Sequence, residues 1–337
     1  MGLRKEVSEQ LEVHNDIGMI DEKGHWKPKE GYKFSPLFDW PIKPLADLKF
    51  LFGPTGYIVR YMIYVLLAIG TYKLLENDLN NFKGISFKWV VLMHARNQVM
   101  LWWVYGGYHL ILYTLKLQGN EQKYNPKWQQ LDSKRFMFNN QVFDNVFRSA
   151  VISASFWTLY EVFYILMFSK GFVPYVSFAS NPAYFVLLLF LIPIIKEVHF
   201  YTVHKILHKR WMMQKIHSVH HMNPNPGPWS GLAMHPVEGF FYFSVLLIHL
   251  IIPSHPIHFF FTSQLTALSP AGVHTGFEGP MFGRKWPAGD YFHYLHHKHV
   301  SCNYGGGTIP MDRWFGRFFD GEGAYKTVRV IKKKKVV

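Results

Sequence analysis

Long uncharged apolar runs alternate along the chain with basic, histidine-rich stretches, a pattern that predicts membrane-spanning helices followed by a polar chemical region. Crossing the hydrocarbon takes about 20 mostly apolar residues. Four runs qualify: 57–75, 98–116, 149–168 and 182–203. Trp and Tyr near their ends suit the membrane–water interface. Arg60 stands near the start of the first run, where it can snorkel outward. Glu161 stands inside the third and weakens the reading of that run. A fifth apolar stretch, 239–268, is broken by Pro253-Ser254-His255-Pro256. Proline ends a helix by removing a backbone donor, so this stretch predicts a helical hairpin that dips into the bilayer and returns.

Four crossings and a hairpin place the amino terminus, the histidines and the carboxyl terminus on one side. The 117–148 segment carries Lys123, Lys127, Lys134, Arg135 and Arg148, whereas 169–181 carries Lys170 alone. The positive-inside rule makes the histidine side cytosolic. The expected fold is therefore an all-α integral membrane protein with about four transmembrane helices, a helical hairpin and a cytosolic histidine-rich helical cap. Its expected parts are a polar cytosolic arm (1–50), an anchor (51–200), a chemical domain (201–325) containing the hairpin, and a basic tail (326–337).

Composition narrows the function. The 337 residues carry a formal charge of +14, a single cysteine and 19 histidines. One cysteine excludes an intramolecular disulfide framework and a Cys-rich zinc module. The basic surplus fits an anionic membrane surface, and with apolar runs this long no nucleic-acid partner is expected. No charged-then-apolar leader pattern opens the sequence, so no cleavable signal peptide is expected. The ending IKKKKVV places Lys334 and Lys335 where a dilysine retrieval signal of the endoplasmic reticulum has them; a polybasic tail drawn to anionic lipid is the plainer alternative.

Fifteen of the 19 histidines lie between 199 and 299. Residues three and four apart share a helix face, so His204 with His208, His217 with His220 and His221, and His293 with His296 and His297 each converge. Neutral imidazole suits iron, copper, zinc and nickel. Eight histidines exceed the four ligands of one tetrahedral zinc, which points to two metals. Carboxylates are scarce among the clusters, unlike the Glu-rich di-iron sites of helical bundles.

HKILH (204–208), HSVHH (217–221) and HYLHH (293–297), with GLAMHPVEG (231–239), VHTG (273–276), NYG (303–305) and MDRWFGRF (311–318), resemble the fatty acid hydroxylase superfamily of membrane di-iron oxygenases, and within it the sterol desaturases. The resemblance covers about 190–320. It implies two irons in the 201–325 domain, O2 as oxidant, and electrons from NAD(P)H through a reductase or a b-type cytochrome. It also implies a membrane lipid as substrate, a sterol first, in an endoplasmic-reticulum membrane. The alternatives within the superfamily are a sphingolipid or fatty acyl hydroxylase and a carotenoid hydroxylase. Acyl-CoA desaturases have a longer first box, a spacing found here only from His199 to His204. Outside the superfamily stands a histidine-rich metal transporter, disfavoured by Lys205, Lys209, Arg210 and Lys215, which belong outside the hydrocarbon.

The resemblance adds His274 and His235 to the ligands, giving an expected set of His204, His208, His217, His220, His221, His235, His274, His293, His296 and His297. A loop-anchoring hydrogen bond is the alternative for His235. His199 is read as packing or support, and His249, His255 and His258 as interfacial. Ligating imidazoles usually donate their second N–H to a carboxylate or carbonyl, and Glu197, Glu238, Asp290 and Asp312 are the nearby candidates.

Overall fold

A computed structural model describes residues 18–80, 84–279, 289–323 and 325. The fold is that of an all-α membrane protein. In chain order its principal helices are α1 (Pro44–Phe52), α2 (Tyr57–Asn80), α3 (Phe87–Leu101), α4 (Gln141–Phe147), α5 (Ala154–Ser169), α6 (Pro182–Leu207), α7 (Arg210–Lys215), α8 (Pro236–Phe243), α9 (Pro256–Val273), α10 (Tyr291–His299) and α11 (Met311–Trp314). Local chemistry starts several of them. Ser86, Asn140, Asn181 and Asp290 each accept a backbone N–H from the first turn of α3, α4, α6 and α10. Pro182, Pro236 and Pro256 open α6, α8 and α9, where a missing N–H costs nothing.

Among the described residues three helical stretches are long and apolar enough to cross a membrane: Pro44–Leu75, Gln141–Ser169 and Pro182–Leu207. They contain three of the four runs predicted from the sequence. The remaining run, 98–116, lies in a helix that continues from α3 through π turns at Trp102–Gly106 and Leu110–Thr114. That helix is long enough, but Arg96, Asn97, Gln98 and the Gly106-Gly107 pair dilute its apolar character.

From Pro236 the chain runs through α8 and a 3-10 stretch, Ser244–Leu250, then breaks before α9. The Tyr242 hydroxyl donates to the Thr266 carbonyl at 2.8 Å, tying the two arms. Fourteen of the 18 residues of α9 are buried, which makes it the central helix of the bundle rather than a lipid-facing arm. His249 and His258 are not interfacial: both are fully buried. His249 bridges Ser254 (3.0 Å) and Thr262 (2.8 Å), and His258 meets the Phe185 carbonyl at 2.9 Å. At the break itself the His255 N–H donates to His258 Nδ1 at 3.0 Å, so that backbone group is satisfied from within the protein.

The described part of the amino-terminal arm opens with an antiparallel ribbon, β1 (Gly18–Ile20) paired with β2 (Trp26–Pro28), which the sequence reading missed. Asp21 accepts the backbone N–H of Lys23 and His25, and Gly24 takes φ +80° to close the turn. The arm then lies across α10 and the segment 301–320. The basic tail 326–337, with its dilysine-like ending, lies outside the described residues.

Candidate metal centre

His204 sits in the last turn of α6 and His208 at its carboxyl-terminal cap, one turn apart as their spacing predicts. His217–Met222 forms a 3-10 helix, and His293, His296 and His297 lie on α10. These elements gather nine imidazoles into two groups. His204, His208, His217, His221 and His296 form the first; His220, His274, His293 and His297 form the second. Within each group every ligating nitrogen lies within 4.8 Å of the others.

The arrangement gives the doubled His-x-x-His-His a physical meaning. In each copy the residues four apart serve one group and the middle histidine serves the other. His217 and His221 join the first while His220 crosses to the second; His293 and His297 join the second while His296 crosses to the first. The two boxes are thus laced through each other. His204 and His208 complete the first group, and His274 completes the second.

Hydrogen bonds set the ring orientations. The Nδ1 atoms of His204, His296 and His274 meet the carbonyls of Tyr304 (2.6 Å), Cys302 (2.7 Å) and Pro270 (2.9 Å). A carbonyl only accepts, so each Nδ1 carries the proton and each Nε2 turns a lone pair inward. His217 Nδ1 lies 2.8 Å from Glu238 Oε1 in the same manner. His204 Nε2 and His217 Nε2 stand 3.1 Å apart, with neither proton between them. His293 Nε2 and His274 Nε2 stand 3.0 Å apart. Where both Nδ1 atoms carry the proton, as in His204 and His217, facing lone pairs at that distance repel unless a cation lies between. One ion about 2.1 Å from each nitrogen fits that separation.

Burial keeps the imidazoles neutral. It pushes the pKa values of His217, His220, His221, His293, His296 and His297 well below the ordinary value, with further lowering from neighbouring imidazoles. An all-imidazole, neutral, inward-facing donor set fits a borderline divalent metal such as iron, copper or zinc.

The fit does not extend to His235. Its Nδ1 accepts the Val237 N–H at 3.2 Å and caps α8, outside both groups. His199 bonds Ser244 at 2.9 Å. Of the four candidate carboxylates only Glu238 touches a ligand ring. Asp312 accepts the N–H groups of Tyr304 (2.9 Å) and Gly305 (2.7 Å), shaping the turn whose carbonyl orients His204. Glu197 accepts the N–H groups of Thr308 and Ile309, and Asp290 caps α10. The carbonyls of Cys302, Tyr304 and Pro270 escaped the sequence reading because a backbone acceptor has no residue signature; the NYG stretch after the last box was the available signal.

Glu238 is fully buried and its Oε2 has no protein partner. Glu238→Ala is expected to weaken metal binding by about 10- to 100-fold, with Glu238→Gln intermediate because it keeps an acceptor for His217. Competition with a chromogenic chelator measures the change; equal retention by Glu238→Ala and the unaltered protein counts against a supporting role.

Two buried, interlaced polyhistidine groups thus stand at the end of an apolar helix bundle, each a donor set that could hold a metal ion. Residues 187–317 match the model of the fatty acid hydroxylase family. The chain is similar to lathosterol oxidase of Mus musculus, 30% identical over 143 residues that cover 40% of this chain and 47% of that protein. It is 33% identical to the putative Delta(7)-sterol-C5(6)-desaturase 2 of Arabidopsis thaliana over 129 residues, 36% of this chain and 45% of the relative. Methylsterol monooxygenase 2-2 of Arabidopsis thaliana is 27% identical over 151 residues, 41% of this chain and 53% of the relative. The chain spans about half the length of the curated relatives it matches. No solved structure gives a significant match.

Proposed function

We propose that this chain is a membrane-bound non-haem di-iron oxygenase that uses O2 to desaturate or hydroxylate a lipid C–H bond, with a sterol as its substrate. The observation that carries this reading is the pair of interlaced all-imidazole groups within the part that matches the fatty acid hydroxylase family. The relatives named for lathosterol oxidation, sterol desaturation and methylsterol oxidation support the sterol. Sphingoid or fatty acyl lipid ranks second and carotenoid third.

His204, His208, His217, His221 and His296 hold one iron, and His220, His274, His293 and His297 the other. Bound iron supplies the O2 activation and one-electron chemistry that an unactivated C–H bond demands. The protein's own contribution is orientation and exclusion of water. Carbonyls and Glu238 orient four of the nine rings, those of His204, His217, His274 and His296. Phe200 lies 4.9 Å from the His204 ring and 6.5 Å from the His293 ring, a wall shared by both groups. Tyr242 backs that wall at 6.3 Å. Electrons come from NAD(P)H through a reductase or a b-type cytochrome. The centre faces the cytosol from an endoplasmic-reticulum membrane, and the hairpin 239–268 reaches into the bilayer.

Expression in a cell lacking its own sterol desaturase tests the substrate. The expected result is a changed sterol profile by mass spectrometry. Unaltered sterols alongside new hydroxylated acyl chains overturn the sterol in favour of the second-ranked lipid.

A further inference from the structure

The segment 301–320 supplies two of the carbonyls that orient metal-facing histidines, and both serve the five-histidine group: Tyr304 for His204 and Cys302 for His296. The four-histidine group takes its carbonyl from Pro270 of α9, a helix packed in the bundle core. What holds 301–320 in place therefore bears on one metal group more than on the other.

Part of the answer is internal, through Asp312, Glu197 and Asn303, whose side-chain amide donates to the carbonyls of Phe292 (3.0 Å) and Phe319 (2.9 Å). The rest comes from the other end of the chain. Ser35 donates through its N–H to Gly307 O (3.2 Å) and through its hydroxyl to Thr308 O (2.7 Å). Tyr32 N–H donates to Asp320 O (3.3 Å). The Phe34 ring lies 4.9 Å from Phe318 and 5.6 Å from Phe292, beneath the Arg313 guanidinium at 5.1 Å. Phe38 meets Trp314 edge-on at 5.5 Å. Tyr32 presses so closely on Gly307 that a side-chain carbon there has no room beside its hydroxyl.

We propose that residues 32–38 of the amino-terminal arm are a clasp that positions His204 and His296, so that metal retention in the five-histidine group depends on the arm. The inference rests on reading the two groups as metal sites. The clasp is a positioning element, because none of its residues reaches a ligating nitrogen. Ser35 and Phe34 act on the segment 301–320, and that segment acts on the imidazoles.

Gly307 offers a test that leaves the arm's sequence intact. It does not occupy a left-handed backbone conformation, so alanine brings no backbone strain, only the collision with Tyr32. With Tyr32→Phe the hydroxyl is gone and the nearest obstacle is a ring carbon at 3.1 Å, which a small shift relieves. Full-length protein loaded with iron is incubated with a chelator, and metal release is followed by elemental analysis. The expectation for Gly307→Ala and for Phe34→Ala is that one metal equivalent leaves about 10-fold faster or more while the other leaves at the unaltered rate. Gly307→Ala with Tyr32→Phe is expected to restore slow release. Unchanged release in both single variants, or equal acceleration of both equivalents, overturns the clasp. Hydrogen exchange of the metal-free proteins separates this inference from the metal reading. Faster exchange across 302–309 in Gly307→Ala, reversed by Tyr32→Phe, is the clasp's own signature, and its absence overturns it whatever metal is bound. Failure of the unaltered protein to retain iron overturns the metal reading instead.

Discussion

Alanine in place of any one of His204, His208, His217, His220, His221, His274, His293, His296 or His297 is expected to abolish lipid oxidation and to leave membrane insertion intact. The reason lies in the donor set. Each group is made of imidazoles alone, and no carboxylate stands among them to fill a vacated position. Losing one ligand also strands its outer partner: in His204→Ala the Tyr304 carbonyl loses its donor, and in His217→Ala the buried Glu238 does. The insertion of the apolar helices draws on none of these contacts. Metal content sharpens the expectation. His208→Ala is expected to cut the first group's occupancy and His297→Ala the second's, each lowering iron from about two equivalents towards one. His235→Ala belongs with the controls, since its ring caps α8 and touches neither group; the loss is the cap's, about 1 kcal/mol of stability. Near-normal turnover in more than two of the nine variants would refute the ligand assignment.

How far such a site can be read from sequence depends on which groups build it. Side chains with a helical spacing were legible: HKILH places its two rings as a helix dictates, and the resemblance brought in His274 from outside the boxes. HSVHH and HYLHH both misled in part, because a shared helix face suggested that His217, His220 and His221, and likewise His293, His296 and His297, converge on one point. In the structure each His-x-x-His-His instead splits its histidines between two centres, and only the third dimension shows which ring crosses. The motif that points to His235 is overturned by geometry, which follows the ordinary preference of a helix start for a side-chain acceptor. The carbonyls of Cys302, Tyr304 and Pro270 were out of reach, since any residue offers the same acceptor. Apolar length foretold three membrane-type helices but misjudged the interior of the hairpin. A run of Phe, Thr, Ser and Gln in α9 reads alike whether lipid or protein surrounds it. Nor does an apolar count explain how Glu161 is tolerated inside a spanning helix.

Its partner is on another helix. Glu161 of α5 is fully buried and pairs with Arg96 of α3, whose side chain is 17% exposed. The carboxylate also accepts from Asn97 (2.9 Å), the Trp157 indole (3.0 Å) and the Ser263 hydroxyl of α9 (2.8 Å). Three helices thus meet at one carboxylate. Removing either charge alone leaves the other buried and uncompensated, which costs about 3–5 kcal/mol, whereas replacing both by apolar groups of similar volume is often close to neutral. Glu161→Leu is therefore expected to be severely destabilising, and Arg96→Met nearly as much. The Arg96→Met/Glu161→Leu pair is expected to recover most of the loss. Recovery stops short of complete because the Ser263 hydroxyl loses its acceptor in the interior, while Trp157 keeps Ser263 and Asn97 keeps Thr158; an unmet buried donor costs about 1–3 kcal/mol. Thermal unfolding in detergent by intrinsic fluorescence reads all three variants against the unaltered protein. Additive losses in the double variant would mean that the two charges stabilise the bundle independently, and that Glu161 is tolerated in α5 for its neutral donors alone.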